Sequence, residues 1–270
     1  MSAELVISGA TGRMGRTLLA LAARSKAVLA VGALEAAGHE QIGQDAGLAA
    51  GAGPCGIQIS DDAAATLQAG RVLIEFTWPE PSLEHARIAA AQGCGVVLGT
   101  TGFSTAQQAE LDELATRIPL LQASNMSVGV TLLTEVVESV ARKLGTAFDI
   151  EVVETHHRLK KDAPSGTALT LAGAAAAGRD AKLADLGVYG RQGMIGERKD
   201  DEIGVMALRG GDVVGDHTVF FFGTGERLEF THRAQSREAF AGGALRAAAW
   251  LAGRAPGHYS MRDVLVAPRS

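Results

Sequence analysis

Leu5-Val6-Ile7-Ser8-Gly9-Ala10-Thr11-Gly12-Arg13-Met14-Gly15 is the stretch that decides the fold. An apolar run stops at a glycine, glycines recur at positions 12 and 15, and Leu18, Leu19 and Leu21 then follow at helical spacing. This reads as strand, tight turn and helix. Glycines at these spacings let the backbone turn sharply and approach a phosphate, and the helix start offers unpaired N–H groups and the positive end of its dipole. A second apolar run, Ala27 to Leu34, is closed by Glu35. A carboxylate there is placed to accept hydrogen bonds from an adenosine ribose. Gly9, Ala10, Thr11, Gly12, Arg13, Met14 and Glu35 are therefore the first candidates for dinucleotide contacts.

Outward from that unit the same grammar continues. Ala63–Ala69, Ser82–Gln92 and Thr105–Arg117 read as helices, and Arg71–Phe76, Gly95–Leu98 and Pro119–Gln122 as strands. Strands separated by helices predict right-handed crossovers and a parallel sheet. Three loops fall at the C-terminal ends of such strands: Thr77-Trp78-Pro79, Gly99-Thr100-Thr101-Gly102 and Ala123-Ser124-Asn125-Met126. Ligands of open parallel sheets lie outside those ends. Gly99, Thr100, Thr101, Ala123, Ser124, Asn125 and Met126 thus join the cofactor candidates, although turns and caps use the same residue types.

Near Asn125 the pattern changes. Ser127–Leu144 reads as an amphipathic helix with Leu132, Leu133, Val136 and Val137 on one broad face. Asp149–Thr155, Gly204–Leu208, Val213–Phe222 and Arg227–Arg233 read as strands, and Ser165–Ala177 as a helix between the first two. The short links Gly210-Gly211-Asp212 and Gly223–Glu226 predict mostly antiparallel hairpins. Asp180–Asp201 shows no clear period and is expected to hold a mobile loop. Helix returns over Glu238–Ala252.

Composition sets the class. With 47% hydrophobic and 20% charged residues over 270, the chain can bury a core. Its formal charge of −5 is too small for a disordered chain and has the wrong sign for a general nucleic-acid or anionic-membrane binder. Only Cys55 and Cys94 occur, far apart, so neither a disulfide framework nor a metal site is expected. The first residues read as a strand rather than a secretory leader, and no apolar run is long enough to span a bilayer. A cytoplasmic protein is the expectation.

The densest chemistry lies in Glu154-Thr155-His156-His157-Arg158-Leu159-Lys160-Lys161-Asp162-Ala163-Pro164-Ser165-Gly166-Thr167. Five potential cations run from a strand end into a helix start, where the Gly166 and Thr167 amides are placed to hold an anion. A carboxylate fits between those amides and Lys160 or His157. Adjacent histidines in a strand face opposite ways, so one can meet a ligand while the other points elsewhere. A solvated basic loop ahead of a capped helix is the alternative.

This stretch closely resembles the signature of the 4-hydroxy-tetrahydrodipicolinate reductase (dihydrodipicolinate reductase) family, E-x-H-H-x-x-K-x-D-A-P-S-G-T-A, matched at every specified position from Glu154 to Ala168. Gly9–Gly15, Phe76-Thr77, Gly99–Phe103, Ser124–Val130 and Met261–Leu265 also resemble family segments. The resemblance implies an α/β protein with a Rossmann-type dinucleotide domain at 1–126 and 236–270. An α+β substrate and tetramerisation domain with a mostly antiparallel or mixed sheet would occupy 127–235. It implies hydride transfer from NADH or NADPH to a small dicarboxylate in lysine and diaminopimelate biosynthesis, with loss of water, in a homotetramer. His156 and Lys160 would be the catalytic acid/base pair, and His157, Lys160, Gly166 and Thr167 would hold the substrate carboxylates.

Many NADPH-accepting relatives place Arg after the strand-end Glu. Here Ala36-Ala37-Gly38-His39 follows Glu35, and Arg13 is the nearby cation that the sequence guarantees. The expectation is that both cofactors serve, NADH at least as well as NADPH. Two other readings stay open: a homoserine- or semialdehyde-type dehydrogenase, and a non-catalytic nucleotide sensor. A phosphorylating semialdehyde dehydrogenase needs a cysteine nucleophile, and neither cysteine has a histidine nearby in sequence. A sensor needs no His156–Lys160 pair.

Overall fold

The computed structural model describes residues 2–266. The chain forms two compact units, Met1–Val128 with Arg237–Ser270, and Gly129–Ser236. The first opens with β1 (Ala3–Ser8), β2 (Val28–Leu34), β3 (Ile59–Ser60), β4 (Val72–Glu75), β5 (Gly95–Leu98) and β6 (Pro119–Gln122). The second holds β7 (Asp149–His156), β8 (Gly187–Val188), β9 (Ile203–Arg209), β10 (Gly215–Gly223) and β11 (Glu226–Ala234). The chain then returns to the first unit with β12 (Gly257–Tyr259).

The first unit is a parallel sheet in the order β12-β6-β5-β4-β1-β2-β3. Every residue of β4 and β5 is buried, the mark of strands covered on both faces. Alternation along β1 divides the core. Leu5 and Ile7 pack with Leu18, Leu19, Ala244 and Ala248, while Val6 packs with Leu83, Ala86 and Leu111. Helices Arg13–Ala22 and Glu238–Leu251 thus cover one face, and Pro79–Gln92 and Thr105–Leu114 the other. Each fully buried Leu or Ile contributes roughly 1.5–3 kcal/mol relative to exposure. In this doubly wound sheet the crevice for a ligand opens between β1 and β4, where strand order reverses. β3 and β12 are two and three residues long and carry no readable period.

The second unit is a mixed sheet in the order β11-β10-β7-β9-β8. β7 runs antiparallel to β10 and parallel to β9. The link after β9 is therefore not a hairpin, contrary to what its length predicts. β7 and β9 are joined through helix Gly166–Gly178, and such a crossover sets neighbouring strands parallel. The link instead wraps the end of β7: Gly210 N–H donates to the His156 carbonyl, and the His157 and Arg158 amides donate to Val213 and Gly211. Val152 and Ile150 of β7 pack with Val205, Val219 and Phe221 beneath the small residues Ala168, Ala172 and Ala175.

Two further expectations change. The buried stripe of helix Val128–Leu144 runs through Val130, Leu133, Val137 and Ala141, and Leu132 faces solvent. Asp180–Asp201 is not featureless, since it contains helix Leu183–Leu186 and β8. Arg191 forks onto Glu151 at 2.8 and 2.9 Å, and Arg198 reaches Asp149 at 2.8 Å. The charges that hid its period are the anchors that hold it.

Candidate functional site

In the first unit Gly9 has φ +64°, a conformation glycine adopts without strain. A Cβ on Gly15 would collide with the Gly9 carbonyl, so the helix packs directly on the turn. Gly12 N-caps that helix without a side-chain hydrogen bond, leaving its start open to an anion. Glu35 is drawn onto this turn. Its Oε1 accepts the Thr11 amide at 2.9 Å and the Thr11 hydroxyl at 2.7 Å, and Oε2 accepts the Ala36 amide at 3.1 Å. Burial opposes its ionisation, but the Thr11 and Ala36 donors and nearby His39 outweigh it and hold the carboxyl below its ordinary range. Arg13 is exposed at the helix start, and Met14 is half-buried. Arg16, which the sequence did not single out, donates its Nε–H to the Thr11 carbonyl at 2.7 Å. The residues present therefore fit a nicotinamide dinucleotide's pyrophosphate and ribose.

The other cofactor candidates differ in what they expose. Thr101 and Ser124 are exposed, and Ala123 is half-buried. The Thr100 hydroxyl is buried between Ser82 and the Thr77 carbonyl. The Asn125 side-chain oxygen accepts the Ser127 amide at 2.8 Å. Ala10 and Met126 have their side chains in the core, so only their backbone remains for a ligand. Gly99 donates its amide to Glu75 at 2.8 Å and packs on the Phe76 ring.

In the second unit the inward row of β7 is apolar at Ile150 and Val152 and then becomes Glu154 and His156. Both polar side chains lie beside the start of helix Gly166–Gly178. Arg209, opposite His156 in the β7–β9 register, forks onto the fully buried Glu154 with both bonds at 2.9 Å. Glu154 also accepts the Ser165 amide at 2.9 Å. Burial alone would raise its pKa. Arg209, His156 and the Ser165 amide together hold it below the ordinary value. An ionised carboxylate can only accept, so the 2.5 Å contact fixes the proton on His156 Nδ1. His156 Nε2 then points toward Gly215, where a Cβ would sit 2.9 Å from it. Glycine at that position keeps this nitrogen clear.

His157 leaves the strand. Its amide is tied to Val213, while its Nδ1 has no hydrogen-bond partner among the described residues. Lys160 Nζ lies 2.9 Å from Asp162, and that ammonium draws the Asp162 carboxyl below its ordinary range. Asp162 is well exposed, so this ion pair is weak and a ligand carboxylate can replace it. Ser165 caps the helix by accepting the Ala168 amide, Thr167 is half-buried beside it, and a methyl on Gly166 would meet nothing within 4 Å. This face of the helix start is open.

Ser165 also bonds His217 at 3.0 Å. Neither Arg209 nor His217 stood out in the sequence, because register alone brings them to Glu154. Burial and the charge of His156 push the His217 pKa down to about 4 from 6.5. Between those values the unfolded chain binds a proton that the folded one refuses, so stability falls as pH drops through that window. The full effect is on the order of 3 kcal/mol. His217→Asn is expected to flatten this acid limb in unfolding midpoints measured against pH, and an unchanged limb would contradict the assignment.

Residues 3–126 match the family model "Dihydrodipicolinate reductase, N-terminus", and residues 129–265 match "Dihydrodipicolinate reductase, C-terminus". The chain belongs to the dihydrodipicolinate reductase family. Curated relatives within dihydrodipicolinate reductases are similar over nearly their whole length. The 4-hydroxy-tetrahydrodipicolinate reductase of Anaeromyxobacter dehalogenans (strain 2CP-C) is 50% identical over 262 residues, 97% of each chain. That of Myxococcus xanthus (strain DK1622) is 51% identical over 96% of each. Among solved structures, the dipicolinate-bound dihydrodipicolinate reductase of Paenisporosarcina sp. TG-14 shares the fold. Its TM-score is 0.74 at 21% identity, over 97% of this chain and 99% of that one. Among the described residues no cluster of His, Cys, Asp or Glu is placed to hold a metal, and no helix is long and apolar enough to cross a membrane.

Proposed function

We infer that this chain is a 4-hydroxy-tetrahydrodipicolinate reductase. It converts (2S,4S)-4-hydroxy-2,3,4,5-tetrahydrodipicolinate, NAD(P)H and a proton to tetrahydrodipicolinate, NAD(P)+ and water, a step of lysine and diaminopimelate biosynthesis. The observation that carries this reading is the buried Glu154, which anchors His156 and also accepts the Ser165 amide at the start of helix Gly166–Gly178, in a chain about half identical to reductases of that name. The reduced nicotinamide supplies the hydride. The protein's part is to hold a dicarboxylate and to manage protons. Gly9–Met14 and Glu35 take the dinucleotide's pyrophosphate and adenosine ribose, and Gly99–Thr101 and Ala123–Met126 line the remaining cofactor contacts. His157, Lys160 and the Gly166–Thr167 helix start receive the two carboxylates. Lys160 Nζ carries a proton toward the departing hydroxyl, and His156 Nε2 exchanges a proton with the electron-rich centre that hydride addition creates.

Pyridine-2,6-dicarboxylate tests this arrangement. It is planar and presents two carboxylates at the spacing of the substrate ring. It is expected to inhibit competitively with substrate, and titration showing no binding even with cofactor present would refute the carboxylate assignments.

NADH is expected to serve at least as well as NADPH. Glu35 would repel a 2′-phosphate, and Ala36 offers no cation to offset it. Arg13 and Arg16 on the turn keep NADPH usable. Ala36→Arg is expected to raise kcat/KM for NADPH far more than for NADH. A tenfold preference for NADPH in the unmodified protein, of the size one well-placed cation supplies, would contradict this reading.

We also propose a cytoplasmic homotetramer. Two unpaired cysteines suit a reducing compartment. Leu208 and Phe222 expose apolar surface on the face of the mixed sheet opposite His156, which a second copy would cover. Sedimentation of a species smaller than four chains would exclude the tetramer.

A further inference from the structure

Glu75, the last residue of β4, has a carboxylate with no exposed surface, and nothing in the chemistry above uses it. A buried carboxylate is costly unless its lone pairs are answered. Oε1 accepts the Thr77 amide at 3.0 Å, and Oε2 lies 2.8 Å from His85 Nδ1. The same nitrogen lies 3.3 Å from the hydroxyl of Ser8, which closes β1 immediately before Gly9. From Thr77 a chain of hydroxyls continues: 3.2 Å to Ser82, 2.8 Å from Ser82 to Thr100, and back from Thr100 to the Thr77 carbonyl at 3.3 Å. The Thr77 methyl sits 3.0 Å from where a Cβ on Gly9 would be.

One buried acid thus joins the ends of β1, β4 and β5, the strands on either side of the crevice. Its charge is of the wrong sign to attract a pyrophosphate, so its contribution there is geometric. We propose that Glu75 is a positioning residue of the dinucleotide site. With His85 and the Thr77–Ser82–Thr100 hydroxyls it fixes the phosphate turn against the two neighbouring loops, and so sets affinity for the reduced cofactor. This rests on the assignment of that turn to a nicotinamide dinucleotide.

Glu75→Gln keeps the size of the side chain and replaces an acceptor facing His85 with a donor or a neutral oxygen. The Kd for NADH, read by fluorescence on the full-length protein, is expected to rise about tenfold, the scale of a sub-ångström misplacement of a binding group. KM for NADH should rise by more than kcat falls, while the affinity for pyridine-2,6-dicarboxylate alone is retained. Unchanged NADH affinity would overturn the proposal, whatever happens to the unfolding midpoint. If Glu75→Gln does not fold, Ser82→Ala carries the same test without touching a charge: weaker NADH binding supports the proposal and unchanged binding overturns it. Binding of NADH to the unmodified protein is the control. Its absence would refute the dinucleotide assignment itself, whereas equal binding by protein and variant refutes only the role of Glu75.

Discussion

Lys160→Ala is expected to lower kcat by about 10²–10⁴, the usual contribution of a positioned acid or base. Loss of hydroxide needs a proton donor, and in the proposed mechanism the Lys160 ammonium is that donor and also attracts the substrate's carboxylates. In this structure the lysine is restrained by two local contacts, its amide to the His157 carbonyl and its Nζ to Asp162 at 2.9 Å. KM for the dicarboxylate should rise as well if the same cation serves binding, as proposed. NADH affinity should barely change, since the dinucleotide turn belongs to the other unit. Steady-state kinetics with both substrates varied checks all three, and near-normal turnover would remove Lys160 from the mechanism.

Glu154→Ala should have the largest effect on stability. It leaves the Arg209 guanidinium facing a void where it had two 2.9 Å bonds, and it strips His156 and the Ser165 amide of their acceptor. Removing one partner of a buried ion pair typically destabilises by about 3–5 kcal/mol. Arg209 keeps its bonds to the Leu208 and Asp162 carbonyls, which limits the loss but does not neutralise the charge. Turnover should fall in what remains folded, because nothing then fixes the proton on His156 Nδ1 or aims Nε2. Denaturant unfolding alongside kcat tests this. A loss below about 1 kcal/mol, the range of an exposed pair, would mean that Glu154 is not the anchor described.

The legible parts of the molecule were local. Gly9 to Gly15 carries its turn, its helix start and its close packing in seven consecutive residues, and Glu35 follows one strand later. The resemblance of Glu154–Ala168 to a family signature likewise depends on contiguous residues. What the sequence hid was non-local. Arg209 and His217 reach Glu154 only through strand register, so no spacing announces them. Glu75 and His85 meet because helix Pro79–Gln92 folds back over the end of β4. The β9–β10 link has hairpin length, yet β7 lies between its strands, and only the sheet order reveals it. Thr100 suits a ligand contact by residue type, and no spacing in the sequence shows that its buried hydroxyl also bonds Ser82.

Reduction of a specific cyclic dicarboxylate by a nicotinamide cofactor is the proposed activity. It is tested most directly by following NADH absorbance with the purified full-length protein and substrate freshly generated by condensing pyruvate with aspartate semialdehyde. Rapid loss of NADH with that mixture, and none with aspartate semialdehyde alone, is the predicted result. Oxidation of NADH by aspartate semialdehyde alone, or no oxidation with the condensed substrate by protein that binds NADH, would contradict it.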